Sequence, residues 1–475
     1  MLDLMIRGAE VVTPDGAGQR DIGITGEKIA FVGLPGEGIA AARVIDAAGK
    51  IAVPGGVEPH THLGDRITMR PEQRLYTLGP EEDTRGMAFG GTTTHIDFAW
   101  VHPRTDVQRA IERRLNRWKG NSHVDYSFHV AIGGELPLEI FDQLPEAIQQ
   151  GFPSFKVFTT EVLPPSSKRP GFRLDFGRIQ LAMEKIALRD GIMVVHAEDH
   201  DLVQYNYERF KAEGRTAGWN LHHVHSKLSE EIAFRRTIAL GRAAGAGIYF
   251  VHTSAREGVE AVAEARANGQ PVYAETLHHY ACFSAHDYPS PRGFCYHTYP
   301  SLKYPDDHLA LWKGLVGGGV STVATDEFPT SLEVKLDGQT IEDVTGGNLG
   351  AEARMGIVFT EGVVKRGMTL ERFAEVTATN AARILGLYPR KGAIAPGSDA
   401  DITILDPTKR GKIRKEDLHE SDYSPWEGHD IFAWPVTTIL RGKVMVDGAK
   451  YFGAPGSGQY LKRNIPSEII AGPAL

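Results

Sequence analysis

Eight short, β-rich apolar runs alternate with longer stretches of helical periodicity between Ile51 and Thr325. That alternation confines the chain to an α/β fold built on a parallel sheet, because parallel strands need long, usually helical, crossovers. The runs are Ile51–Val57, Thr92–Phe98, Asp125–Ala131, Ser154–Phe158, Ile192–His196, Ile248–His252, Val272–Glu275 and Val320–Thr325. Between them the spacing predicts helices at Glu81–Ala88, Val107–Lys119, Phe176–Asp190, Ser229–Ala244, Glu257–Asn268 and His308–Val316. Eight such units over roughly 330 residues predict a (β/α)8 TIM barrel with some long loops.

The ends have a different texture. Leu4–Val12, Asp21–Ile24, Lys28–Val32 and Arg43–Asp46 are short strand-like pieces, and Asp401–Asp406 and Pro435–Gly448 repeat that pattern near the C-terminus. We expect a small β-sandwich domain from 1–54 and 389–450, a catalytic barrel over 55–388, and a Gly/Pro/Ser-rich arm over 451–475, extended rather than packed. The 475 residues are 41% hydrophobic and 24% charged, ordinary for a soluble globular protein. A net charge of −8 without a dense basic stretch argues against nucleic acid as a partner. No apolar run approaches the length of a membrane span. Two cysteines, Cys282 and Cys295, form neither a disulfide framework nor a thiolate metal site. The opening Met1–Arg7 does not resemble a signal peptide, so a cytoplasmic location is expected.

Active-site groups of such barrels stand at the C-terminal ends of the strands. Strand one leads into His60-Thr61-His62, two imidazoles at the i, i+2 spacing that places side chains on one side of an extended chain. Histidine is the commonest metal ligand, so this pair suits one divalent ion. Strand four carries Lys156 inside an apolar run, strand five ends in His196, strand six in His252 and strand eight in Asp326. Each has an ordinary reading alone. His196 and His252 can simply end strands, Asp326 can cap a helix, and Lys156 can point outward between helices. Their coincidence at one level of one barrel favours a shared site. His222-His223-Val224-His225 holds a second His-x-His, but it precedes a helical run and reads as loop or helix surface. His95 and His129 lie inside strands two and three, without an assigned role.

With these residues in view, the chain resembles the amidohydrolase superfamily, and within it the dihydropyrimidinase/hydantoinase branch. The similarity spans nearly the whole chain. It is carried by Gly55–His62, Gly90–Phe98, Phe155–Phe158, Val195–Glu198, Val251–Ser254, Ala274–Thr276, Ala324–Asp326 and Lys391–Asp401. It implies two divalent ions, zinc foremost, with manganese, iron and cobalt also compatible. His60, His62 and Asp326 would hold one ion and His196 and His252 the other, bridged by Lys156 carboxylated by carbon dioxide. The implied chemistry is hydrolysis of a C–N bond in a cyclic amide or imide. A metal-bridging hydroxide is the nucleophile and Asp326 the general base, then acid. A homo-oligomer, tetramer or dimer, is also implied.

The substrate pocket departs from the branch. Members usually carry a tyrosine five residues after the bridging lysine; here that residue is Glu161. A serine before a Pro-Pro-Leu-Arg stretch is replaced by Tyr299, and an asparagine that contacts the ring by Gly346. We therefore expect the metal machinery to be kept and the small-molecule substrate to differ. Glu161, Tyr299, Asn348 and His279 are the expected substrate contacts, Tyr299 supplying a phenolic donor. A dihydroorotase reading is disfavoured because Leu63-Gly64, not an arginine, follows the His-x-His. Two alternatives stand beside the first reading. One is the same metal chemistry on an acyclic amide, carbamate or ureide, or on allantoin; the other is a non-catalytic scaffold related to dihydropyrimidinases.

Overall fold

In the computed structural model, which describes residues 1–36, 39–67, 73–167 and 171–475, eight parallel strands pair in chain order. They are Gly56–Glu58, Thr92–Val101, Asp125–Ile132, Ser154–Phe158, Ile192–His196, Gly247–Phe250, Val272–Leu277 and Thr322–Ala324. Pairing in sequence order with helical crossovers is the topology of a (β/α)8 barrel, as expected. The helices begin at side-chain caps where the sequence offers them. Asp106 accepts from Arg109 N, Asp175 from Arg178 N and Ser226 from Ser229 N. Helix Val107–Trp118 buries Val107, Ala110, Ile111, Arg114 and Trp118, one stripe at helical spacing. No helix among the described residues is long and apolar enough to cross a membrane.

The first predicted run divides. Ile51–Pro54 pairs antiparallel with Ile402–Asp406 in a second, nine-stranded sheet made from both ends of the chain. The barrel strand begins only at Gly56. Gly55 marks the handover, where any Cβ would collide with the side chain of Thr93. In the terminal sheet, the long strand Leu2–Thr13 pairs with Ala41–Asp46 along its first half and with Ile51–Pro54 near its end. Ile6, Val11, Ile22, Ile24, Ile402, Ile404 and Ile439 form its core.

Asp399 ties this sheet together. Its carboxylate meets Lys28 Nζ at 2.7 Å, Arg390 Nε at 2.9 Å and Lys391 Nζ at 3.1 Å. Burial opposes its ionisation, but Lys391, Lys28 and Arg390 outweigh that and hold the carboxyl at about 2. A folded pKa below the unfolded one stabilises above the unfolded value and is lost as pH falls towards 2. Asp399→Asn is expected to cost about 2 kcal/mol at neutral pH and to flatten the acid limb of the stability profile between about pH 4 and pH 2. Chemical denaturation at stepped pH measures both.

The C-terminal segment is not a free arm. Tyr126 N donates to Gln459 O, and Leu461 N to Tyr126 O, so the segment runs alongside the third barrel strand. Leu461, Ile465, Ile469 and Ile470 are buried with Val57, Ile96, Ile192, Val194 and Tyr249 in one core. Arg463 is buried and donates to Ser127 Oγ, Ser154 Oγ and the carbonyls of Phe128 and Leu385. A stretch rich in Gly and Pro reads as unpacked only while Leu461, Ile465, Ile469 and Ile470 are discounted.

Candidate active site

Side-chain parity decides where Lys156 points. Phe155 and Val157 pack outward, into the core between strands and helices. Lys156, between them, faces the barrel interior and is 1% exposed. Its Nζ lies 5.2 Å from the centre of the Phe98 ring and 4.8 Å from that of Phe158. Phe98 packs on His60 and His62, and Phe158 on His196. The amine thus stands between the two groups of histidines. Burial pushes its pKa down to about 8, with Asp326 and Glu275 opposing.

Barrel closure brings the first and eighth strand ends together. His62 N donates to Glu327 O at 2.7 Å and Glu327 N to His60 O at 3.1 Å. The result places His60 Nε2 3.0 Å and His62 Nε2 3.4 Å from Asp326 Oδ1. Ligand atoms of these three residues all lie within 4.8 Å of one another. Thr61 turns the other way, its Oγ1 meeting Asp97 and His95. His196 Nδ1 and His252 Nε2 face each other at 3.0 Å, and the His60 and His252 ring centres are 5.5 Å apart.

His252 is the residue that strand periodicity would misplace. Phe250 packs outward and Val251 inward, so strict alternation sends residue 252 outward. A positive φ of 39° at His252 turns its ring into the mouth, and Asp326 has φ 52°. Such conformations are unfavourable for non-glycine residues and persist where surroundings hold them. Glu275 does so at His252, accepting its backbone N–H at 3.1 Å.

Carboxylates also fix which ring nitrogen faces the site. Glu275 Oε1 lies 2.8 Å from His60 Nδ1, Asp65 Oδ2 3.3 Å from His62 Nδ1, and Glu198 Oε2 2.9 Å from His196 Nε2. An ionised carboxylate can only accept, so with a cation in the mouth each of these nitrogens would keep the proton and leave the other free as a ligand. Burial works against ionising Asp326, yet the His60 and His62 rings hold its carboxyl well below the usual range. At His62, burial is outweighed by Asp326 and Asp65, which raise the imidazole to about 9. A corner that favours positive charge so strongly fits a divalent cation, which would take the place of the proton between the rings and Asp326.

All six expected ligands line one cavity of about 1340 Å³, and Glu161 and Tyr299 line it as well. Glu161 Oε2 accepts from Phe172 N at 2.6 Å, Oε1 has no hydrogen-bond partner among the described residues, and burial pushes its carboxyl up. His279 and Asn348 are fully buried but do not line the cavity. His279 is the second residue of the helix after strand seven and packs on Trp426, while Gly346 and Gly347 take the wall beside Asn348. Neither is placed to touch a substrate in this cavity.

Periodicity alone passed over the groups behind the histidines. His225, read as surface, is buried with Nδ1 3.0 Å from Glu198 and Nε2 3.0 Å from Tyr207 Oη. Glu275 also accepts from Tyr249 Oη at 2.8 Å, and Arg114 pairs with both Asp65 and Asp97. An acid inside an apolar strand, as Glu275 is, was the available signal. Glu198→Gln exchanges one acceptor oxygen for an amide donor, releasing the tautomers of His196 and His225. We expect it to weaken divalent-metal affinity by about 10–100-fold, read from metal titration.

The sequence profile of the amidohydrolase family matches residues 51–445. The chain belongs to the amidohydrolase family. It is 33% identical to the D-hydantoinase of Geobacillus stearothermophilus over 473 residues, covering 97% of this chain and 96% of that protein. It is 31% identical to a D-phenylhydantoinase of Escherichia coli, covering 97% and 98%. Among solved structures, the dihydropyrimidinase from Brevibacillus agri NCHU1002 superposes with a TM-score of 0.91 at 30% identity, covering 98% of this chain and 99% of that one. This amidohydrolase thus sits in the hydantoinase-like branch. Its six barrel-mouth residues lie within the family match.

Proposed function

We propose that the chain is a binuclear metal-dependent hydrolase that opens cyclic amides or imides at a C–N bond. The observation that carries this reading is the convergence of His60, His62, Lys156, His196, His252 and Asp326 on one cavity, with a carboxylate behind three of the rings. Likeness to hydantoinases and a dihydropyrimidinase over nearly the full chain supports the substrate class. Two divalent ions, zinc foremost, would supply a polarised carbonyl and a water of lowered pKa.

The protein's own groups do the rest. Lys156, with its pKa near 8, keeps part of its amine neutral at physiological pH. Only the neutral amine adds carbon dioxide, releasing a proton to solvent, and the resulting carbamate would bring one negative charge, shared by two oxygens, between the two histidine groups. Asp326, held ionised, takes the proton of the attacking water and returns it to the departing nitrogen, which leaves poorly unless protonated. Burial keeps the Tyr299 phenol protonated; its O–H donates to Val344 O at 3.5 Å and would turn from that long bond to a developing oxyanion.

A panel of hydantoins, dihydropyrimidines, cyclic imides, allantoin, ureides and N-acyl amino acids, assayed with divalent metal and bicarbonate, tests the reading. Ring opening with two metal equivalents per chain is expected. Turnover confined to open-chain amides would replace the substrate class, and negligible metal content would favour the scaffold reading. Tyr299→Phe is expected to lower kcat by about 10²-fold or more on the best ring substrate. Unchanged turnover removes the phenol from the mechanism. A homo-oligomer is part of this reading; a solution mass of 52.0 kDa, that of one chain, would remove it.

A further inference from the structure

The cavity is larger than the roughly 300–1,000 Å³ of ordinary small-molecule sites, so a small ring leaves room for a substituent. Above the metal-binding residues, part of its wall is aromatic. Trp100, Phe158 and Phe172 stand with ring centres 5.4–5.9 Å apart. Arg173 follows Phe172 and also lines the cavity. Its backbone is held by a bridge to Phe158 and by Gly134 N, which donates to its carbonyl.

Other arginines on this wall are engaged. Arg114 pairs with Asp65 and Asp97, and Arg178 with Asp175. Arg113 donates to Trp100 O and Arg117 to Gly64 O. The Arg173 guanidinium makes no hydrogen bond or ion pair with any described residue, and its Nε is buried without a partner. Glu161 and Asp175 line the same wall, yet neither forms an ion pair with it. A buried guanidinium nitrogen without an acceptor is costly unless a ligand supplies one.

We propose that the substrate carries a carboxylate at the end of the arm leaving its reacting ring, and that Arg173 pairs with it while the aromatic wall takes the apolar stem. A guanidinium suits a carboxylate through its two-pronged donor geometry. The inference rests on the cyclic-amide reading above, and its test separates the two.

The test compares 5-(2-carboxyethyl)hydantoin with its isosteric carboxamide, on metal-loaded wild type and on Arg173→Gln. The wild type is expected to prefer the carboxylate by about 10–100-fold in kcat/KM, and the ratio to fall to about one in the variant. A wild-type ratio near or below one, or a preference that survives in the variant, overturns the proposal. The ring-opened forms, N-carbamoyl-glutamate and N-carbamoyl-glutamine, are titrated calorimetrically into the same proteins. If no ring is opened, the cyclic-amide reading fails while this arm still decides the anion. Tighter wild-type binding of the diacid that is lost in Arg173→Gln supports the assignment, and equal binding refutes it.

Discussion

Asp326→Asn is expected to lower kcat by about 10²–10⁴-fold, the contribution of a positioned general acid–base, with a smaller change in KM. Asparagine is nearly isosteric and, like aspartate, tolerates a left-handed backbone, so the φ of 52° at this position need not change. It keeps one oxygen towards His60 and His62, 3.0 and 3.4 Å away in the wild type, but cannot shuttle a proton. Steady-state kinetics on a ring substrate, with metal content measured on the same sample, checks this. A kcat within tenfold of wild type at equal metal loading would take Asp326 out of the proton path.

Arg354→Met is expected to destabilise the fold by about 3–5 kcal/mol, because it strands a buried carboxylate. Arg354 and Glu58 are both fully buried, with Nε 3.2 Å from Oε2. The guanidinium also donates to Val57 O, Val323 O and Thr92 Oγ1, stitching strands one, two and eight at the closure seam. Glu58 Oε1 accepts the N–H groups of His60 and Thr325, so the pair sits directly beneath the candidate metal ligands. Glu58→Gln combined with Arg354→Met should cost less than the sum of the single changes, since the glutamine carbonyl keeps those N–H bonds without a buried charge. Denaturation midpoints of the four proteins measure the coupling. Strict additivity would mean that the seam is held by packing alone.

Much of the site was legible from strand ends. His60, His62, His196 and Asp326 follow from where β-rich runs stop, and Lys156 from a charge set in an apolar run. The substrate wall was less legible. Glu161 and Tyr299 line the cavity whereas His279 and Asn348 do not, because the direction of a loop or of a first helical turn depends on what packs against it. His225 is the sharper case. Its neighbours His222 and His223 form a short helix, yet it lies buried against Glu198, 27 residues away.

The order of eight strands, the terminal β-rich segments and the level of the site all follow from local periodicity, since alternation and helical spacing are properties of one element at a time. Tertiary structure alone decided which carboxylate stands behind each ring, the turn of His252 against its own alternation, the packing of the C-terminal segment and the place of Arg173 on the cavity wall. Each of these depends on a partner delivered by another strand or by barrel closure. A carboxylate 215 residues from His60, as Glu275 is, becomes its neighbour only when the sheet curls round.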